Sequence, residues 1–155
     1  MMKLSRTPGL SKKFRRTPWR FQATFGTPLK NLEAFVSAIL ADSGEFDKGR
    51  VILDAVVFEP KSLKALLAAH SLPTQYGQDW SIEVEGKQQV RGLLVAALSD
   101  WVDFVFVPTP KPFVIYADHD ELTTFFANTK SNLNLVAQSL LAKGFTQIHD
   151  YQRQL

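Results

Sequence analysis

Residues 103–117, DFVFVPTPKPFVIYA, consist of two apolar runs joined by a short proline-rich segment. The runs Asp103–Val107 and Phe113–Ala117 are rich in the β-branched and aromatic residues that favour strands. The segment between them is too short to hold the crossover helix that a parallel pair of strands requires. The two runs are therefore predicted to form an antiparallel hairpin, with the prolines near the strand ends, where they are tolerated.

Outside this hairpin, strand and helix patterns alternate along the chain. Strand patterns occupy residues 19–25, 50–58, 81–85 and 145–151, and the run at 50–58 is almost wholly apolar apart from Asp54. Helical spacing begins after Pro28, after Pro60 and at Lys87, and it returns between residues 121 and 143. A break in the last helix is predicted at residues 128–132, and Ser43-Gly44 is predicted to end the first helix.

The predicted element order is β-α-β-α-β-α-β-β-α-β. It predicts an α+β fold, a single layered domain with a mixed sheet of about five to six strands and about four helices. A doubly wound α/β sheet is the alternative. The domain is expected to span residues 19–155. Residues 1–18 are predicted to be an irregular basic arm, because Pro8, Gly9 and Pro18 interrupt any helix there.

The composition is that of an ordinary globular chain without cysteine. The lack of cysteine excludes disulfides, thiolate nucleophiles, iron–sulfur clusters and cysteine zinc sites. No apolar run approaches the ~18 residues of a membrane span, and no apolar segment follows the basic start as in a secretory signal. We therefore expect a soluble, cytoplasmic protein, and no motif predicts a cofactor.

Charge is distributed unevenly along the chain. Residues 1–20 hold seven of the eighteen lysines and arginines and no acidic residue, so the rest of the chain carries eleven basic against fifteen acidic residues. The basic character belongs to the N-terminal segment, and the remainder is mildly acidic. The candidate residues for binding a partner or an anion are Lys12, Lys13, Arg15, Arg16, Trp19 and Arg20.

Several uses of this basic segment remain open. Its cations could neutralise the phosphates of a nucleic acid while Phe14 and Trp19 stack on bases. The same composition suits an acidic protein surface, an anionic membrane surface or an organelle transit segment. A solvated tail without a partner is the remaining alternative.

The densest polar cluster is Asp118, His119, Asp120 and Glu121, between a predicted strand and a predicted helix. Carboxylates and an imidazole are suitable ligands for a divalent metal and suitable groups for acid–base catalysis. The same residues are also those that cap the N-terminus of a helix. Both interpretations remain open, and the cluster supplies the only candidate catalytic residues.

These observations favour an intracellular, non-enzymatic binding or adaptor domain that docks on a larger partner, most simply a protein, with added affinity from the basic arm. The first alternative is a small metal-dependent hydrolase or phosphoryl-transfer enzyme that uses the Asp118–Glu121 cluster. The second alternative is a nucleic-acid-associated protein. The two binding hypotheses make the arm essential, whereas the enzymatic one does not.

Overall fold

The computed structural model describes residues 1–41 and 46–154. Its strands span Met2–Arg6 (β1), Phe21–Gly26 (β2), Lys48–Val56 (β3), Trp80–Glu85 (β4), Val102–Thr109 (β5), Val114–Ala117 (β6), Leu122–Ala127 (β7) and Gln147–Ile148 (β8). Its α-helices span Leu10–Arg16 (α1), Leu32–Ala41 (α2), Lys61–Ala69 (α3), Lys87–Ser99 (α4) and Lys130–Ala142 (α5). The end predicted for the second of these helices, at Ser43-Gly44, lies outside the described residues.

The eight strands form one open sheet in the order β1-β4-β3-β5-β6-β7-β2-β8. The α+β class is confirmed, but every pair of neighbouring strands is antiparallel, so both the mixed sheet and the doubly wound alternative are wrong. In this fold, a helix that connects two consecutive strands does not make those strands parallel neighbours in the sheet. Helix α3 joins two antiparallel partners, β3 and β4, and α2 joins β2 and β3, which are far apart in the sheet. The predicted counts of strands and helices were too low.

The hairpin that decided the fold class is present. Strands β5 and β6 pair antiparallel, with Phe104 opposite Ala117. The apolar run around Asp54 is strand β3, which lies between β4 and β5 inside the sheet, as its nearly continuous apolar sequence predicted. The register between β3 and β5 shifts between Leu53 and Ala55, which marks a bulge at Asp54.

Strand β7 replaces the first part of a predicted helix. Leu122, Phe125 and Phe126 fit a helical spacing, but residues 123–126 are all β-branched or aromatic, and they are buried on both faces of the sheet. Pairing with β2 and β6 on either side of this segment outweighs its helical spacing. The break predicted at residues 128–132 is confirmed, since Thr129 caps α5 and accepts a hydrogen bond from the backbone N–H of Asn132.

The N-terminal segment is not irregular, which corrects the prediction for residues 1–18. Strand β1 pairs with β4 along its whole length. Helix α1 receives its N-terminal cap from Asp79, whose carboxylate accepts from the backbone N–H groups of Gly9 and Ser11 and from the Ser11 hydroxyl. The strand partner β4 and the capping residue Asp79 both lie about 70–80 residues away from this segment in sequence, so local propensity could not reveal them.

Helices α2 to α5 cover one face of the sheet, which we call the helix face. Its core is aromatic: the Phe125 ring lies edge-on to Phe25 and Phe113, and all three are fully buried. Gly49 allows α4 to approach β3, since a Cβ there would lie 2.9 Å from Phe106 and 3.1 Å from Val90. No described helix is long and apolar enough to cross a bilayer.

The opposite side of the sheet, which we call the open face, is covered by the two terminal segments. Helix α1 packs Phe14 against Ile52, Val105 and Phe126. The C-terminal residues after β8 also lie on this face, where the backbone N–H and C=O of Arg153 bond the side chain of Gln22. Strand β8 is therefore shorter than the predicted strand at 145–151, because the chain leaves the sheet edge to reach Gln22 and its neighbours.

Candidate functional site

Asp54 is a carboxylate at the centre of the open face. The bulge in β3 accompanies it, and its side chain is only 4% exposed. Arg15 from α1 donates to both carboxylate oxygens at 2.8 and 3.0 Å, and the Tyr116 hydroxyl from β6 donates at 2.5 Å. Burial first, and then the hydrogen bond to Asp54, raise the pKa of Tyr116 far above its usual value, so this hydroxyl remains a donor.

Arg153 forms a second ion pair on the same face. Its Nη2 lies 2.7 Å from Asp118 Oδ2, and both side chains are nearly buried. Its Nε donates to the Thr124 hydroxyl at 3.0 Å, and its guanidinium lies 4.6 Å from the centre of the Tyr116 ring. A guanidinium that is hydrogen-bonded and stacked in this way holds the C-terminal segment against the sheet.

His119 and Asp103 form a third pair at the rim of the open face. The Asp103 Oδ1 atom accepts from both the backbone N–H and the Nδ1 of His119, each at 2.8 Å. The hydrogen bond between the His119 ring and Asp103 is the largest cause of the raised pKa of His119. The negative charges of Asp103, Asp120 and Asp118 act in the same direction. The second ring nitrogen, Nε2, lies 3.8 Å from Asp120 Oδ1.

A cavity of about 360 Å³ opens between the two terminal covers, and we call it the polar pocket. Strands β3, β5 and β6 contribute four lining residues, α1 contributes one and the C-terminal segment one. These residues are Asp54, Ala55, Asp103, Tyr116, Arg15 and Gln154. The pocket therefore has a floor from the sheet and two walls from segments that are almost the whole chain apart.

The predicted cluster Asp118–Glu121 is a tight turn between β6 and β7. Asp118 Oδ1 accepts from the backbone N–H groups of Asp120 and Leu122, and Glu121 has a left-handed φ of 65°. The prediction of a helix cap is wrong, because the residues that follow form a strand and no helix begins here.

The structure gives the metal interpretation of this cluster no support. The other oxygen of Asp118 is paired with Arg153, and His119 is turned to Asp103. Within residues 1–41 and 46–154 no group of three or more His, Asp or Glu side chains is arranged to hold a metal ion. Asp118 and His119, neighbours in sequence, thus bind partners in different directions.

The predicted basic residues are divided between two sides of α1. At about 100° per residue, Lys12, Lys13 and Arg16 fall within about 100° of arc on the outer side of the helix. All three are exposed, as is Arg20 beyond the helix end. Arg15 is also 41% exposed, but its guanidinium is bonded to Asp54. Trp19 is partly buried between Phe14 and Phe126, with ring centres 6.0 and 6.2 Å away, so it does not offer a free face to a base.

Four residues of the site were not identified from the sequence: Asp54, Asp103, Tyr116 and Arg153. Asp54 carried the only signal, a lone carboxylate within a buried apolar strand. Such a group must find a cation or several donors, since an unpaired buried charge is too costly to retain. Nothing in the sequence indicated that its cation would come from α1.

Comparison with protein-family models, with curated proteins and with solved structures found no match to this chain.

Proposed function

We propose that this chain is a non-enzymatic binding domain that docks on an acidic surface of a larger protein partner. The docking surface is the basic face of α1, formed by Lys12, Lys13 and Arg16. One observation carries the proposal: the three cations are exposed on one side of a helix, and none has a carboxylate within 4 Å among the residues that the structure describes. Uncompensated charge of one sign attracts a partner of the opposite sign.

The basic face is held in a fixed orientation. Phe14 anchors the inner side of α1, Asp79 caps its N-terminus, and Arg15 ties it to Asp54. A binding surface that is already ordered loses little conformational entropy when a partner binds, so more of the electrostatic attraction contributes to affinity. The remainder of the chain has a net negative charge, which directs an acidic partner towards α1 rather than elsewhere.

A protein partner is favoured over single-stranded nucleic acid by the packing of the aromatic residues. Base stacking on this segment would require Phe14 or Trp19, and both are engaged with Phe126. The exposed cations alone offer no stacking platform, and such platforms contribute about 1–3 kcal/mol per base in single-strand binders. Binding to duplex phosphates through the same cations is the competing outcome of the test below.

The test is reversal of the basic face by Lys12→Glu, Lys13→Glu and Arg16→Glu in one variant. We expect this variant to fold, because none of the three side chains is buried. Affinity purification from the source cells, quantified at about 50 and about 300 mM salt, should show partners that are lost with the variant and weakened by salt, because screening shortens the reach of exposed charges.

The matched control reverses three exposed lysines elsewhere, Lys111, Lys130 and Lys143, and so makes the same change in net charge. It should retain the partners. Equal losses in both variants would mean that net charge alone governs binding, and unchanged partners in the first variant would refute the proposal. Tight, salt-steep binding of a random-sequence DNA duplex by the unmodified protein would favour a nucleic-acid role instead.

A further inference from the structure

The polar pocket is not part of the basic face of α1, and the docking proposal does not use it. It lies at the boundary between α1 and the C-terminal segment, on the inner side of both. Its volume of about 360 Å³ falls within the usual range of small-molecule sites, about 300–1,000 Å³. A strand bulge and a deeply buried carboxylate meet at its floor, and bulges are frequent beside functional sites.

The lining groups retain unused hydrogen-bonding capacity of two opposite kinds. Asp103 uses only Oδ1, for both bonds to His119, and Oδ2 has no partner among the described residues. Arg15 uses only Nη2, for Asp54, and it leaves Nε and Nη1 unbonded in the same part of the chain. The Gln154 amide has no hydrogen bond there either, so a carboxylate oxygen, single N–H groups of a guanidinium and an amide remain for a ligand.

The charges of the pocket are also unequal. The lining residues carry two carboxylates, Asp54 and Asp103, against one guanidinium, Arg15. The free oxygen of Asp103 and the free N–H groups of Arg15 belong to the same pocket. Such a site is complementary to a small molecule that carries both a positive and a negative group.

We propose that the polar pocket binds a small zwitterion that has an ammonium and a carboxylate group, as an α-amino acid does. The ammonium group donates to Asp103 Oδ2. The carboxylate accepts a single charge-assisted hydrogen bond from a free N–H group of Arg15, at Nε or Nη1. The Gln154 amide hydrogen-bonds to the polar atom of the ligand that lies nearest to the C-terminal segment.

The first experiment screens pools of unmodified α-amino acids at millimolar concentration by saturation-transfer NMR with the full-length protein. At least one amino acid should bind. For each one that binds, the N-acetyl derivative, which lacks the ammonium charge, and the carboxamide, which lacks the carboxylate, are measured in the same way. Each derivative should bind at least about tenfold more weakly, because it loses one charge-assisted hydrogen bond to the pocket.

A variant that fills the pocket tests whether the amino acid binds there. Ala55→Leu adds three carbons to the lining and leaves every polar partner of the site in place, and it should abolish binding. Ala69→Leu, at an exposed position of α3, is the matched control and should bind as the unmodified protein does. Circular dichroism verifies that both variants are folded.

Three results would overturn the proposal. The first is that no amino acid binds in any pool. The second is that binding survives Ala55→Leu in a folded protein. The third is that a neutral monosaccharide binds as tightly as the best amino acid, which would show that the two charged groups do not select the ligand. None of these results bears on the basic face of α1, so the two proposals fail or stand separately.

Discussion

The two faces of the sheet are built from the same strands but by different means. On the helix face, four helices pack over Phe25, Phe106 and Phe125 in a fully buried apolar core. On the open face, a seven-residue helix and the C-terminal segment are held by ion pairs and hydrogen bonds at Asp54 and Asp118. The comparison separates two roles: the helix face supplies most of the apolar core, and the open face supplies the charges and the pocket on which the two binding proposals rest.

The largest predicted difference in stability concerns two neighbours in β7. Phe125 lies on the helix face of the sheet and Phe126 on the open face. Phe125→Ala should destabilise the protein by about 4 kcal/mol, because it leaves a cavity in a core that cannot collapse around it. Phe126→Ala should cost clearly less, because α1 can settle towards the space left under Phe14 and Trp19. The free energy of unfolding from urea titration measures both, and equal losses would show that the open face is packed as firmly as the helix face.

The second prediction removes the cation that holds α1. Arg15→Ala should cost about 2 kcal/mol, because the buried Asp54 then keeps only the Tyr116 hydroxyl as a donor among the described residues. Arg16→Ala, one residue along and on the outer side, is the matched control and should change stability by no more than about 0.5 kcal/mol. A similar loss for both variants in urea titrations would mean that the Arg15–Asp54 pair contributes little.

The third prediction concerns the cap of α1. Asp79 has a φ of 70°, so Asp79→Gly removes the carboxylate without placing an alanine in a strained conformation. The loss should be about 1–2 kcal/mol, as for other helix caps. In a background with Trp80→Phe and Trp101→Phe, which leaves Trp19 as the one tryptophan of the chain, its fluorescence should then change at lower denaturant than the far-UV circular dichroism signal. Coincident transitions would argue against an independently held α1.

The pKa of Asp79 gives this cap a dependence on pH. Hydrogen bonds from the Ser11 and Gly9 backbone N–H groups lower that pKa below its ordinary value near 3.8, with the Ser11 bond as the largest cause. The stabilising contribution is therefore present above pH 3.8 and is lost as the pH falls through the lowered value. The difference in unfolding free energy between the unmodified protein and Asp79→Gly should shrink in that acidic range.

The smallest predicted effect is at His119. Its pKa is raised above the ordinary 6.5, mainly by the hydrogen bond to Asp103, so the protonated form is the one that the fold stabilises. This contribution is complete below pH 6.5 and is lost as the pH rises through the raised value. Since the imidazole is 37% exposed, the difference between the unmodified protein and His119→Gln should be at most about 1 kcal/mol. Thermal melts across that range test it, and a difference that grows with pH would contradict the sign.

The comparison of the two faces also helps to explain which elements the sequence predicted and which it missed. The elements of the helix face have long apolar patterns, and the sequence predicted α2, α3, α4, the central strand β3 and the β5–β6 hairpin. The elements missed are β1, α1 and β7. Strand β1 and helix α1 depend on partners about 70–80 residues away, and β7 pairs with the distant β2 as well as with its neighbour β6. Helix α1 has only Leu10 and Phe14 as large apolar residues, and its cap comes from Asp79.

The site was less accessible from the sequence for a related physical reason. The cluster at residues 118–121 was conspicuous because its members are neighbours in the chain, yet the turn directs them to separate partners. The residues that do converge, Arg15, Asp54 and Tyr116, are separated by dozens of positions. Convergence of that kind is a property of the strand order, which no local pattern in this sequence specified.

The pairing of β2 with β7 has a consequence for how the chain folds. Thr24 and Thr124, which share a hydrogen bond, are 100 residues apart. Contacts between distant residues slow folding, because the entropy of closing the loop is lost before the contact forms. During synthesis, β2 leaves the ribosome long before its neighbour in the sheet exists. One edge of β2 stays unpaired until residues 122–127 have also left the ribosome, and its other edge waits for β8 at residues 147–148.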